Sequence, residues 1–290
     1  MSVRTNEGRL GIDPDLFEEE NDKTKEAPPP TSSLKFVTPT EFVELPSRGH
    51  FYGPDHPLHQ QQVVEIKHMT TKEEDILTSM ALLKQGVALD RMLENVVVDP
   101  KVKVENLLLG DKNALIIATR IHGYGPEYNT SLKCPSCGEL QSYSFNLESL
   151  NSQFPTEEAL KEYNIEISST GTFLIALPKT DYTVEARLIS SSEEKKITDA
   201  QAYKKKKNFP ETPITDLLRI IIVSVNGISD PGALGEFIAT LPAIHARYIR
   251  RVYDKLVPSI DMKHSFVCAD CNHEGTVEVP LNTDFFWSNA

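Results

Sequence analysis

The residues best suited to chemistry in this chain are its four cysteines, and they come in two pairs. Cys134-Pro135-Ser136-Cys137 is followed by Gly138, and Cys268-Ala269-Asp270-Cys271 is followed by Asn272 and His273. Two such C-x-x-C pairs supply the thiolates of one tetrahedral four-cysteine zinc site, in which each sulfur lies about 2.3 Å from the ion. The small and turn-forming residues in and after each pair suit a tight knuckle that turns backbone N–H groups toward the sulfurs. The spacing is unusual, because residues 138–267 separate the pairs, whereas a zinc ribbon ordinarily has about 15–20 residues there. If Cys134, Cys137, Cys268 and Cys271 share one metal, a whole module folds between the halves of the site. Disulfides are disfavoured by the low cysteine content and by the lack of a signal peptide at the start of the chain. Free thiols and a redox C-x-x-C remain the alternatives. With four cysteines filling the shell, His264 and His273 read as surface histidines.

The chain has 290 residues, 39% of them hydrophobic, and a net charge of −12. It is long enough for a sizeable core in one large or two small domains. The acidic balance opposes a nucleic-acid partner, since phosphate binding depends on clustered Lys and Arg. No apolar run reaches the roughly 18 residues of a membrane span. The one basic cluster, Lys204 to Lys207, reads as a solvated loop before Pro210. Motifs of nucleophilic, nucleotide-dependent or zinc-hydrolase catalysis are missing. A zinc held by four cysteines leaves no position for water, so the expectation is a chain that is not an enzyme.

These residues must be positioned by the rest of the chain. Residues 1–33 are polar, end in Pro28-Pro29-Pro30-Thr31-Ser32-Ser33, and read as a disordered arm. Within them Ile12-Asp13-Pro14-Asp15-Leu16-Phe17 is either a docking peptide or plain tail. Residues 34–150 form a first half-module with the first knuckle. It starts with short extended pieces and a loop, residues 47–54, with exposed-looking aromatics. A strand at residues 63–67 follows, then three helices, the first opened by a capping box at Thr71 and Glu74. Residues 151–170 read as a bridge. Residues 171–290 form a second half-module, with strands near 173–178 and 182–188, helices near 216–223, 232–240 and 242–256, and the second knuckle. The aromatic end, Phe285-Phe286-Trp287, suits either an interface or packing on its own domain.

The second half repeats the first. Leu45-Pro46 answers to Leu177-Pro178, Val64-Glu65 to Val184-Glu185, and the capping box to another at Ser191 and Glu194. Leu132-Lys133-Cys134 answers to Phe266-Val267-Cys268. The expected fold is therefore α+β: duplicated half-modules of short strands and helices, joined across a pseudo-twofold axis by a four-cysteine, zinc-ribbon-like site. One ribbon with an inserted helical domain is the rival explanation.

Several stretches of the first half resemble the T4-type baseplate protein family of contractile-tailed bacteriophages. They are Leu45-Pro46-Ser47-Arg48-Gly49-His50-Phe51-Tyr52, Met69-Thr70-Thr71-Lys72-Glu73-Glu74-Asp75-Ile76-Leu77, Leu107-Leu108-Leu109-Gly110-Asp111, and Arg120-Ile121-His122-Gly123-Tyr124-Gly125-Pro126-Glu127-Tyr128 leading into Cys134. The resemblance implies a non-catalytic baseplate hub component, or a factor needed to build the hub, located in the virion and assembled in the host bacterial cytoplasm. Its implied partners are other baseplate, hub or tail proteins, with no nucleic acid, membrane or small-molecule substrate. The alternative, from the cysteines alone, is a zinc-ribbon nucleic-acid-binding or regulatory protein.

Overall fold

Each half begins with an antiparallel strand pair whose inward face is apolar. Strand β1 (Thr40–Glu44) pairs with β2 (Val63–Lys67), setting Val43 opposite Val64. The residue after β1, Leu45, donates its N–H to the Gln62 carbonyl (2.8 Å) and is buried. A computed structural model describes residues 36–281 and 283–287. The proposed arm and its Ile12–Phe17 segment lie outside these residues. The described residues from Thr38 onward form one compact unit, with helices and several small sheets, so the fold is α+β.

After β2 come α1 (Thr71–Thr78), α2 (Met80–Gln85) and α3 (Ala88–Val96). The expected first helix is thus broken at Ser79, and it stops at Gly86 in a left-handed conformation (φ 65°), which glycine adopts without steric cost. The chain then returns to β2, where Val97 bridges Ile66. A 3-10 turn (Val104–Asn106) leads into α4 (Leu109–Tyr124). Next come β3 (Glu127–Lys133) and β4 (Leu140–Asn146), an antiparallel hairpin with the first knuckle at its tip. A 3-10 turn (Leu147–Ser149), β5 (Asn151–Gln153) and α5 (Glu157–Glu162) follow.

The same order then recurs. Strand β6 (Thr172–Ala176) pairs with β7 (Thr183–Arg187), setting Ile175 opposite Val184, and the Leu177 N–H donates to the Tyr182 carbonyl (2.9 Å). Helices α6 (Ser191–Lys206) and α7 (Pro213–Ile221) precede β8 (Ile222–Val225), which returns to pair with β7. Then come α8 (Pro231–Thr240), α9 (Ala243–Leu256), β9 (Ser259–Asp261), β10 (Lys263–Val267), the second knuckle and β11 (Glu274–Glu278). A 3-10 turn (Thr283–Phe286) closes the second half, as another closed the first. The duplication is legible in the order of the main elements, although β9 has no counterpart between α4 and β3, and the inward alternation of both sheets explains why Leu45 and Leu177 hold equivalent places.

Three expectations need correction. Both capping boxes sit one residue earlier, at Thr70 with Glu73 and at Ser190 with Glu193. The later residues are used elsewhere. Glu74 accepts the Tyr124 hydroxyl (2.7 Å), and Ser191 donates to the Val104 carbonyl (3.1 Å). Lys204 to Lys206 end helix α6, where cations suit the helix dipole, and Lys204 Nζ lies 2.7 Å from Asp216 Oδ2. The aromatics of the loop at residues 47–54 are buried: the Tyr52 hydroxyl donates to Asp111 Oδ2 (2.7 Å) and Phe51 packs edge-on to Phe173. Phe285 and Phe286 are also buried, against Tyr128 and Tyr124.

The core runs through both halves without interruption. Among the described residues, several joints stitch them and the bridge between them. Strand β5 pairs with β9. The Ser191 N–H donates to the Leu107 carbonyl (2.8 Å). Gly110, in the first turn of α4, lies so close to the Pro258 backbone that a Cβ there would collide with it.

Candidate metal centre

Each knuckle is built at the tip of a β-hairpin, and the two are folded alike. The N–H of Cys134 donates to the Glu139 carbonyl (2.9 Å) and that of Gly138 returns to the Cys134 carbonyl (2.9 Å). In the second knuckle Cys268 N–H donates to the His273 carbonyl (3.0 Å) and Asn272 N–H to the Cys268 carbonyl (3.0 Å). The residue after the second cysteine must adopt positive φ to close this turn. Gly138 does so at 79° and Asn272 at 53°, the two residue types that best tolerate that region. Backbone N–H groups point at the sulfurs, Ser136 toward Cys134 Sγ and Cys271 toward Cys268 Sγ, both at 3.4 Å.

The hairpins face each other so that the buried cysteine of one meets the exposed cysteine of the other. Cys134 Sγ lies 3.8 Å from Cys271 Sγ, and Cys137 Sγ lies 3.7 Å from Cys268 Sγ. All four sulfurs lie within 4.8 Å of one another. A tetrahedron with ligands about 2.3 Å from its centre has edges of about 3.8 Å. A disulfide would need roughly 2.05 Å. The donor set therefore fits a single tetrahedral, thiophilic ion and does not form disulfides.

Electrostatics set the sulfurs apart. The Cys137 backbone N–H, opposed by desolvation and helped by the Ser136 N–H, brings the Cys134 thiol down to about 6. The Glu139 N–H acts to lower Cys137, but desolvation and hydrogen bonds donated to Cys134, Cys271 and Cys268 prevail and push it up to about 12.

Sequence reasoning missed Gln141, on β4. Its Nε2 donates to Cys268 Sγ (3.1 Å) and Asp270 Oδ2 (2.8 Å), and its Oε1 accepts the Ala269 N–H (3.1 Å). The first half-module thus reaches across and holds the second knuckle in place. Tyr143 adds a second link, donating its hydroxyl to the Ser265 carbonyl (2.6 Å). Only the pairing of the hairpins makes these partners visible. His264 is not a free surface residue. Its half-buried ring packs edge-on to Phe145, 5.1 Å between centroids. His273 is half-buried and contributes its carbonyl, not its ring, to the knuckle.

No helix among the described residues is long and apolar enough to cross a membrane. No curated protein and no solved structure shows a significant match to the chain. A family model described as T4 bacteriophage base plate protein matches residues 39–287, which include all four cysteines. By that match over most of its length, the chain belongs to the T4 bacteriophage base plate protein family.

Proposed function

We propose that this chain is a non-catalytic structural or assembly component of a contractile phage tail baseplate, acting at or near the central hub, and that one structural Zn²⁺ is held by Cys134, Cys137, Cys268 and Cys271. The family membership over residues 39–287 carries this reading. The geometry of the sulfurs supports the zinc, because four thiolates close a tetrahedral shell and leave no site for a reacting water. Bound there, Zn²⁺ supplies charge neutralisation and a covalent-strength link between hairpins that are far apart in the chain. The chain then divides into an arm at residues 1–33, half-modules at 34–150 and 171–290, and a bridge at 151–170.

A rigid body suits a part that holds neighbours in fixed register, since pre-organisation lowers the entropic cost of docking. Its partners are other baseplate, hub or tail proteins, and its place is the virion, after assembly in the host cytoplasm. The contacts fall on the arm and on the exposed rim of the loop, which includes Arg48, His50 and Asp55. Phe285 and Phe286, being buried, are not among them. Deleting the gene and imaging the lysate tests the role: assembled baseplates and infectious particles should be lost, and normal assembly would overturn it. Deleting residues 1–33 separately tests where the contacts lie.

A further inference from the structure

The two half-modules differ at the edge of their first sheets, where Glu41 is exposed and His68 half-buried. By strand register, Glu41 of β1 occupies the place of Phe173 in β6, and His68, just after β2, the place of Leu188 after β7. In the second half both places are filled by buried apolar side chains. In the first half they carry a carboxylate and an imidazole, and His122 on the last turn of α4 joins them. Alternation along β1 and β2 puts Glu41 on the face of Val43, and His68 on the face of Val64 and Ile66. These polar groups therefore stand where the repeat calls for core.

The three residues converge. One ligand atom from each lies within 4.8 Å of the other two. His68 Nε2 is 3.6 Å from Glu41 Oε1, and the His68 and His122 rings lie 5.2 Å apart. His68 Nε2 is buried and has no hydrogen-bond partner among the described residues, a state that ordinarily has a reason. Tetrahedral N and O ligands about 2.0–2.2 Å from one ion are themselves roughly 3.4 Å apart, close to the observed separation. Two imidazoles and a carboxylate suit a borderline divalent transition metal and leave a coordination position open.

We propose that Glu41, His68 and His122 form a second metal site, for a divalent transition ion, separate from the four cysteines. A metal there ties the β1–β2 sheet to the end of α4, the helix that leads into the first knuckle. It does in the first half what apolar packing does in the second.

The test uses tag-free, full-length protein, dialysed against a weak chelator so that the cysteine site keeps its metal, and titrated with Co²⁺ alone. One further equivalent should bind, with visible d–d absorption but no thiolate-to-cobalt charge transfer. His122→Gln and Glu41→Gln should each weaken that binding at least tenfold, while His50→Gln leaves it unchanged. Circular dichroism should show all variants folded. If wild type takes up no such equivalent, or if His122→Gln binds it as tightly, the proposal is wrong. Cobalt that appears only with thiolate charge transfer, as exchange into the cysteine site, also overturns it.

Discussion

Arg120, fully buried on α4, donates its Nε hydrogen to the carbonyl of Phe285 at 3.0 Å, joining the first half to the end of the second. The other two guanidinium nitrogens reach the carbonyls of Gly125 (2.8 Å) and Glu127 (3.1 Å), so one cation caps the helix, fixes the turn into β3 and holds the C-terminal aromatics. The planar fork suits three acceptors in different directions, which an ammonium cannot reach together.

Arg120→Ala should therefore destabilise the protein by about 3 kcal/mol or more, because buried carbonyls lose charge-assisted hydrogen bonds. Arg120→Lys should recover only part of the loss. Chemical denaturation measures both, and early proteolysis near Phe285 should accompany them.

Asp111 plays the matching role for the long loop. Its buried carboxylate accepts the Ser47 N–H (2.9 Å), the Ser47 hydroxyl (2.6 Å) and the Tyr52 hydroxyl (2.7 Å). The Tyr52 oxygen in turn accepts the Leu108 N–H at the start of α4 (3.0 Å). Asp111→Ala leaves these donors unsatisfied at a cost of about 3 kcal/mol. It should also expose residues 46–62 to limited proteolysis while the metal content stays unchanged.

The second capping box has a pH signature. Desolvation tends to raise the Glu193 carboxyl, but the Arg187 guanidinium (2.9 and 2.6 Å) and the Ser190 N–H (3.0 Å) prevail and hold it below the usual carboxylate range. A lowered folded-state pKa gives stability that is full above the unfolded value, about 4.3, and is lost as pH falls through the folded value. Wild type should thus exceed Glu193→Gln in stability at neutral pH, and the gap should close on acidification below about 4.3. A gap independent of pH would contradict the assignment. Ser190→Ala removes the other half of the box, at about 1 kcal/mol.

Much of this was legible in the sequence. Paired cysteine spacing picked out the four sulfurs that the fold brings together, and repeated Leu-Pro and Val-Glu dipeptides exposed the duplication, because inward strand positions constrain residue type. What the sequence hid depends on partners distant in the chain. Thr71 with Glu74 reads as the cap, and only the folded chain, where Tyr124 takes Glu74, shows that Thr70 with Glu73 forms the box instead. Gln141 is an ordinary strand residue until the second knuckle folds onto it. The loop aromatics look exposed because their polar surroundings conceal Asp111, the buried acceptor for Tyr52.

The central claim is that one ion clamps the two half-modules through their knuckles, and zinc content per chain tests it most directly. Wild-type protein dialysed against a weak chelator should retain one zinc, measured by inductively coupled plasma mass spectrometry. Cys268→Ser should lose that zinc and unfold at lower denaturant concentration, since structural zinc contributes folding free energy. His122→Gln should keep it. A wild-type protein without zinc, or a Cys268→Ser protein with its full complement, would contradict the account.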